Sequence, residues 1–262
     1  MKTAVPALPR RIAATLALPV ALIATWWFTS AHSQNFYFPP LRTIVETFGK
    51  LWFSSQAMQN VVPSLVRFSV GYLAAAVLGI AIGIPVGTSR NLRNVLEPVL
   101  EFLRAVPPPV LVPVLILFAG LGNEMKALVI VSGCIWPVLL NTVAGVRALD
   151  EVLAEVVRSY RIGPFTRFWH FILPGASPQI FTGLRQSLSI GLILMVISEM
   201  FAASDGIGFA LVQYQRSFAI PEMWSGIILL GIIGIVLSLI FRAFEAWILG
   251  WYHGLRQSQR AN

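Results

Sequence analysis

Long runs without a charged residue constrain this sequence more than any other feature. A helix of roughly 20 apolar residues spans the hydrocarbon core of a bilayer. Four uncharged runs reach that length or nearly so, and they cover residues 68–89, 105–123, 127–146 and 223–241. Only 11% of all residues are charged and 56% are hydrophobic, whereas about a quarter of the residues of soluble proteins are charged. The sequence therefore predicts an integral membrane protein of the all-α class.

Two further spans carry weaker signals. Residues 12–30 follow a basic N-terminus and fit the core of a cleaved signal peptide, but the length of the run and the interfacial pair Trp26 and Trp27 favour a retained helix. Residues 184–203 contain charges, among them Glu199. We thus predict one membrane domain over residues 1–262 with six transmembrane helices, at about 12–30, 64–87, 106–121, 126–146, 184–203 and 224–249.

The distribution of lysine and arginine predicts the orientation of these spans, because cytoplasmic loops of membrane proteins are enriched in basic residues. With the N-terminus inside, most of the 19 Lys and Arg residues fall in cytoplasmic segments. The outer side keeps only Arg42, Lys50, Arg67, Lys126 and Arg216. We therefore predict a multi-pass protein of the inner (cytoplasmic) membrane, in contact with lipid, with both termini in the cytoplasm.

The remaining composition argues against several other classes of protein. The net charge is +8, but neutral runs separate the basic residues, so no nucleic-acid surface is expected. His32, His170 and His253 lie in different loops without metal-ligand spacing, and the sequence contains no phosphate-binding loop. We expect no catalytic, cofactor or metal site in this chain.

Small residues line one face of the second predicted span. Gly71, Ala75, Gly79, Gly83 and Gly87 recur every four residues, which places them on one side of a helix. This row predicts that another helix packs closely against that face.

An amphipathic helix is predicted in the outer segment after the first span. Apolar residues recur with helical spacing over residues 41–52, directly after Pro39 and Pro40. Such a helix would cover the outer end of the bundle or meet an external partner, and the pattern fits both roles.

The longest predicted cytoplasmic loop, residues 147–178, has the pattern of two short helices. Apolar residues recur at helical spacing over residues 149–160, and Gly163 with Pro164 would end that helix and start the next. We expect the second helix to present aromatic residues on one side and to end at Pro174. Such a hairpin would dock into a groove on another protein or bury its aromatic side chains in lipid, and periodicity leaves both open.

The same loop resembles the EAA loop of permease subunits of binding-protein-dependent ABC importers. Glu155 and the two residues after it are followed, at the family's gap, by Leu173 and Pro174. The family's glycine position is taken by Arg161, and Gly163 comes two residues later. We therefore expect the bend between the two helices to be shifted or shaped differently.

Other segments are similar to the subgroup of this family that imports nitrate, taurine and other sulfonates. They are the run Leu103–Pro107 with Pro113 and residues 118–120, the pair Ser198 and Glu199 followed by Gly206, Ile207 and Gly208, and the set Pro39, Ser64, Arg67 and Gly71. The resemblance extends from about residue 36 to 250.

The resemblance implies a type I ABC importer permease, which forms the translocation pathway for a small anionic or polar organic solute. It further implies a second copy of the permease, as a homodimer or with a close relative, two ATPase subunits that bind ATP and Mg²⁺, and a periplasmic solute-binding protein. This chain itself would bind neither ATP nor Mg²⁺. The alternative is an ion-coupled secondary transporter or channel, although such proteins usually carry several intramembrane charges or broken helices.

The loop residues expected to contact an ATPase follow from this resemblance. Glu155 and Arg158 would supply polar contacts, and residues 160–168 would insert into the ATPase. The full set is Glu155, Arg158, Tyr160, Arg161, Gly163, Pro164, Phe165, Phe168 and Pro174. Replacing Glu155 or Gly163 is expected to uncouple ATP hydrolysis from uptake.

Arg67 and Glu199 are the candidates for the translocation path. Glu199 is expected near the outer end of its span, as a gate residue facing the bundle or as an interfacial carboxylate. Arg67 begins its span in line with the glycine row, where it would attract an anionic solute or extend its guanidinium to the lipid headgroups. The residue pattern leaves both interpretations open for each residue.

Overall fold

The computed structural model describes residues 8–252, with side chains throughout except at residues 8–16, 55, 56 and 202. Within this range every regular element is a helix, which confirms the all-α prediction. The chain termini, predicted to be cytoplasmic, lie outside the described residues. The α-helices are α1 (Leu8–Ser30), α2 (Leu41–Trp52), α3 (Ser55–Thr88), α4 (Arg90–Ala105), α5 (Val112–Ala119), α6 (Asn123–Arg147), α7 (Glu151–Ser159), α8 (Pro164–Arg167), α9 (Leu173–Ala202), α10 (Ile207–Arg216) and α11 (Ile220–Ile248). A 3₁₀ turn (Pro108–Leu111) precedes α5, and a π-helical turn (Phe168–Ile172) precedes α9.

Four helical stretches of the described chain are long and apolar enough to cross a membrane. They are Ala57–Thr88, Asn123–Arg147, Pro164–Phe201 and Ile220–Ile248. A fifth crossing is possible where Arg90–Ala105 and Pro108–Ala119 form a pair bent by 83°. Ala17–Ser30 is a shorter apolar helix. The six predicted spans thus correspond to four long helices, one bent pair and one shorter helix.

The described residues divide into two compact units. The first comprises residues 8–58 and 210–229, and the second comprises residues 59–209 and 230–252.

In the first unit the predicted amphipathic helix is present as α2. Its residues Leu41 and Ile44 are buried, and the Leu41 backbone N–H donates to the hydroxyl of Ser30 at 3.1 Å. At the other end of α2, the indole Nε1 of Trp52 donates to Ser225 Oγ at 3.0 Å. These contacts fix both ends of the helix.

In the second unit the glycine row of α3 packs directly on α6, as predicted. A Cβ atom added at Gly71 would lie 2.7 Å from Ile130 Cβ, and one at Gly87 would lie 2.8 Å from Val146 Cβ. The offset along the chain is the same in both pairs, so α3 and α6 run in the same direction. The segment between them must therefore return along the full length of the unit, and the bent pair of α4 and α5 makes this return.

Helix α9 packs on α6 in the opposite direction. Gly145 of α6 faces Gln179 near the start of α9, whereas Gly191, further along α9, faces Cys134. The N-terminal ends of α3 and α6 therefore lie at the same end of the unit as the C-terminal end of α9. The loop of residues 147–178 lies at the other end.

Candidate functional site

The first helix of the loop, α7, begins at a side-chain cap. The Asp150 carboxylate accepts a hydrogen bond from the Leu153 backbone N–H at 2.9 Å, as an N-cap residue does. Glu151 lies in the first turn and Arg158 in the last, which places each charge favourably in the field of the helix dipole. The sequence of α7 thus defines its own two ends.

The end of α7 is a Schellman turn with an arginine at the position that favours glycine. The Arg161 N–H donates to Arg158 O at 3.0 Å, and the Ile162 N–H donates to Val157 O at 3.2 Å. This bond pair needs a residue in the left-handed region between the two donors, and Arg161 adopts it with φ of 52°. Gly163 has φ of −60° and ψ of 154°, a conformation open to any residue. The left-handed bend therefore lies at Arg161, the family's glycine position, and is not shifted to Gly163.

The second half of the loop continues into the next long helix. Pro164 occupies the first turn of α8, and the π-helical turn Phe168–Ile172 connects α8 to α9 without a break. The prediction that Pro174 ends this helix is wrong. Pro174 instead sits in the first turn of α9, where a residue without an N–H can be accommodated because the wider π turn precedes it.

The aromatic residues predicted to contact an ATPase divide into two groups. Tyr160 and Phe165 are 78% and 76% exposed. Phe168, in contrast, is half-buried against the cluster that contains Ile172 and Ala176, and its ring lies 5.2 Å from that of Trp169. Phe168 therefore holds the loop on the helices beneath it, while Tyr160 and Phe165 remain free on its surface.

The two predicted polar contacts lie on the wall of a cavity beside the loop. Glu155 and Arg158 are both exposed, and both line a cavity of about 460 Å³ between α7, the ends of α3 and α6, and the start of α4. Arg158 Nε is 3.4 Å from the Ala154 carbonyl oxygen. Among the described residues, neither Glu155 nor Arg158 makes an ion pair, so both are available to a partner.

At the opposite end of this unit, the structure brings the two candidate path residues together. Arg67 Nη1 and Glu199 Oε1 form an ion pair at 2.9 Å, with side chains 5% and 0% exposed. Arg67 Nη2 pairs with the Asp205 carboxylate, and Arg67 Nε donates to Asn123 Oδ1 at 2.7 Å. The arginine is therefore neither snorkelling nor free, because all of its nitrogens have protein partners.

The Glu199 carboxylate is equally enclosed. Ser64 Oγ lies 2.7 and 2.8 Å from its two oxygens, and the Gly208 N–H donates to Oε2 at 3.0 Å. Gly206 has φ of 113°, and a Cβ atom added there would lie 2.5 Å from the carboxylate. We call Ser64, Arg67, Glu199, Asp205 and residues 206–208 the Glu199 cluster.

Sequence reasoning named only two members of this cluster as site residues. Asp205 was missed, because a carboxylate in a loop gives no sign of its partner. Ser64 and Arg67 stand three residues apart on α3, which places them on one helix face. This spacing, together with the glycines at 206 and 208, is the sequence feature that could have indicated the cluster.

The family and its relatives agree with the sequence resemblance. Residues 75–250 match the family described as binding-protein-dependent transport system inner membrane component. The chain is 29% identical over 252 residues to the taurine transport system permease protein TauC of Escherichia coli (strain K12), covering 94% of this chain and 92% of that protein. It is 31% identical over 190 residues to the nitrate import permease protein NrtB of Synechocystis sp., covering 72% and 69%.

The chain is also 32% identical over 238 residues to a permease of Bacillus subtilis (strain 168) that is named for aliphatic sulfonate transport. That match covers 90% of this chain and 86% of that protein. Among solved structures, the MetNI methionine ABC transporter in inward-facing conformations contains a chain with a TM-score of 0.59 and 17% identity, which covers 74% of this chain and 99% of its own length. That likeness supports the fold. With two thirds of its length inside the matched family region, this chain belongs to the inner membrane components of binding-protein-dependent transport systems, the permeases of ABC importers.

Proposed function

We propose that this permease forms the translocation pathway for a small oxyanion such as a sulfonate or nitrate. Three permeases similar to it carry names for taurine, aliphatic sulfonate and nitrate transport. All three of these solutes carry a compact group of oxygen atoms with negative charge. We further propose that two ATPases, a second permease copy and a periplasmic binding protein complete the importer, with both termini of this chain in the cytoplasm.

The observation that carries the coupling role is the exposed apolar surface of the loop. Val152, Tyr160 and Phe165 are all at least two-thirds exposed, although each has a large apolar surface. Exposed apolar groups clustered at one site usually mark a surface that another molecule covers. Because charged residues flank them on α7, a protein groove satisfies this loop better than lipid does.

The coupling residues are proposed to act as a rigid lever. The capped helix α7 and the continuous helix from Pro164 to Phe201 connect the exposed loop to α9, which packs on α6. A displacement of Tyr160 and Phe165 by a closing ATPase dimer would therefore move α9. Glu155 and Arg158 would register the loop on the ATPase through polar contacts.

The test is reconstitution of the chain in proteoliposomes with an ATPase and a binding protein from the same organism that assemble with it. The complex that contains Glu155→Ala is expected to hydrolyse ATP, but this hydrolysis is expected no longer to drive solute uptake. Glu46→Ala, which removes an exposed carboxylate of α2, is the matched control and is expected to transport normally. Normal coupling in Glu155→Ala, or uptake driven by an ion gradient without any ATPase, would contradict the proposal.

Gly163 separates a folding effect from a coupling effect. No heavy atom lies within 4 Å of a Cβ added there, so the fold tolerates a side chain. Gly163→Leu is therefore expected to keep the wild-type melting temperature and to lose coupled uptake, because the side chain would enter the proposed ATPase contact. A variant that retains full uptake would remove Gly163 from the coupling site.

A further inference from the structure

Five arginines from four different helices converge on the cavity beside α7. The cavity has a volume of about 460 Å³, within the range of about 300–1,000 Å³ that is typical of small-molecule sites. The arginines that line it are Arg90, Arg93, Arg147, Arg158 and Arg167. They come from the start of α4, the end of α6, and from α7 and α8.

Within the described residues these arginines have no acidic partner, and Arg158 has only the Ala154 carbonyl oxygen near its Nε. Among the described residues, none of the five makes an ion pair, although Glu151 and Glu155 line the same cavity. Arg167 Nε is buried and has no hydrogen-bond partner in the described part of the chain. A buried donor without a partner costs about 1–3 kcal/mol. An acceptor atom placed beside Arg167 Nε would therefore stabilise the folded chain.

The start of α4 adds to the same positive field. Helix N-termini favour negative charge, yet the first turn of α4 contains no acidic residue and carries Arg90 and Arg93. The Ser89 hydroxyl accepts a hydrogen bond from the Leu92 N–H at 3.3 Å. Both the helix dipole and the arginines would therefore be stabilised by one anion placed in the cavity.

Topology alone does not account for this arrangement. Cytoplasmic loops collect arginine and lysine because of membrane insertion, but that rule needs only charge on the correct side. It predicts neither the convergence of five guanidinium groups on one cavity nor the burial of Arg167 Nε. Arginine in particular matches the paired oxygens of a phosphate.

We propose that the cavity lined by Arg90, Arg93, Arg147, Arg158 and Arg167 binds a phosphate group. The group is either the headgroup phosphate of an anionic phospholipid or a free phosphate. Its place beside α7 would allow it to stabilise the loop that carries Glu155. The cytoplasmic location of the cavity rests on the proposed orientation, whereas phosphate binding is a property of the chain that can be measured without transport.

The test uses the purified full-length chain, delipidated in neutral detergent, and two probes. Phosphatidylglycerol is titrated against phosphatidylcholine with native mass spectrometry as the readout, and inorganic phosphate is titrated against chloride at equal ionic strength with the melting temperature as the readout. Preferential retention of phosphatidylglycerol alone assigns the site to a lipid headgroup. A rise in melting temperature with inorganic phosphate assigns it to a free phosphate. Binding of neither probe overturns the proposal.

A charge-matched pair of variants tests the location. Arg90→Gln with Arg93→Gln is expected to weaken binding of the active probe by about tenfold or more, because two charge-assisted contacts are lost. Arg42→Gln with Arg104→Gln removes the same charge from two exposed pairs and is expected to bind like wild type. Equal weakening in both double variants would overturn the site.

A lysine variant keeps the test decisive if the glutamine variant does not fold. Arg90→Lys with Arg93→Lys retains both charges but lacks the paired donors of the guanidinium. Weaker binding than in the wild type supports the proposed site, and unchanged binding overturns it.

Discussion

Replacing Glu199 by glutamine tests whether burial sets the strength of an ion pair in this protein. The chain contains two Arg–Glu pairs with the same N···O distance of 2.9 Å, Arg67–Glu199 and Arg42–Glu46. The side chains of the first pair are 5% and 0% exposed, whereas those of the second are 79% and 55% exposed. The two pairs share their N···O distance but differ in burial, since Arg42–Glu46 lies on the surface of one helix and Arg67–Glu199 is buried between two helices.

The contacts of Glu199 give the expected magnitude. Its two oxygens accept from Ser64 Oγ, Arg67 Nη1 and the Gly208 N–H. Glutamine keeps one oxygen but turns an amide N–H₂ toward donors, so at least one donor loses its acceptor and the buried guanidinium loses a charge partner. Breaking a buried pair in this way costs about 3–5 kcal/mol, and Asp205 would offset only part of this cost.

The control defines the result that would refute the reasoning. Glu46→Gln breaks an exposed i,i+4 pair, which is expected to cost about 0.5 kcal/mol or less. The free energy of unfolding of Glu199→Gln and of Glu46→Gln is measured by reversible unfolding in mixed micelles. Arg67→Gln and the double variant Arg67→Gln with Glu199→Gln are measured in the same way and complete a double-mutant cycle. A loss of less than about 1 kcal/mol in Glu199→Gln, or equal losses in the two glutamate variants, would show that burial does not decide the strength.

Three further predictions concern single backbone positions, each with unfolding free energy as the measurement. Gly206→Ala is expected to cost about 1–3 kcal/mol, because Gly206 has φ of 113° and a Cβ atom there would lie 2.5 Å from the Glu199 carboxylate. Gly163→Ala is its control and should be nearly neutral. Equal effects of the two changes would argue against strain at Gly206. Gly83→Ala is expected to cost about 1–3 kcal/mol, since the new Cβ would lie 2.7 Å from Thr142 Cβ. Gly231→Ala in α11, with no heavy atom within 4 Å, is its control and should be tolerated. Arg161→Gly is expected to stabilise the chain by about 1 kcal/mol, and a loss of stability would contradict the assigned turn.

The helices that carry a strong local signal could be predicted from the sequence. Uncharged runs long enough for a bilayer located the long helices, and the four-residue spacing from Gly71 to Gly87 predicted the contact with α6. Helical spacing of apolar residues also located α2 and α7. In each case the determinant is a repeated property of neighbouring residues, which a sequence displays directly.

The errors arose where a single residue has two structural roles. Pro174 stops a helix when it lies in the interior and suits a helix when it lies in the first turn, and the π turn Phe168–Ile172 that decides between them has no sequence signature of its own. Arg161 in the family's glycine position left the place of the bend open, and the Schellman hydrogen bonds set the left-handed conformation at position 161 rather than at Gly163. Residue preference was thus outweighed by the bonds at the end of α7.

The pairing of Arg67 with Glu199 could not be obtained from the sequence, because it joins α3 to α9 across more than a hundred residues. Each residue by itself fits a solute contact as well as a structural contact. Their mutual contact changes the balance, since a solute would have to displace Asp205, Asn123 or Ser64 to reach either charge. The contacts of the Glu199 cluster hold the loop of residues 203–206 in place, and a path role for Arg67 and Glu199 stays a prediction.

The two ends of the second unit differ in how far their polar groups are satisfied, and this difference indicates where partners bind. At the Glu199 cluster, a buried carboxylate and a buried guanidinium meet one another and the surrounding backbone, so a ligand there would have to break existing bonds. At the loop of residues 147–178, aromatic rings are exposed and five arginines line one cavity. Arg167 Nε has no acceptor among the residues that the structure describes. Since unpaired groups gain most from a new contact, binding energy from an ATPase or a phosphate group would be released at the loop. Under the proposed coupling, that energy would reach the spans through the helix from Pro164 to Phe201, which continues through Pro174. A helix that stopped at Pro174 would not provide this connection.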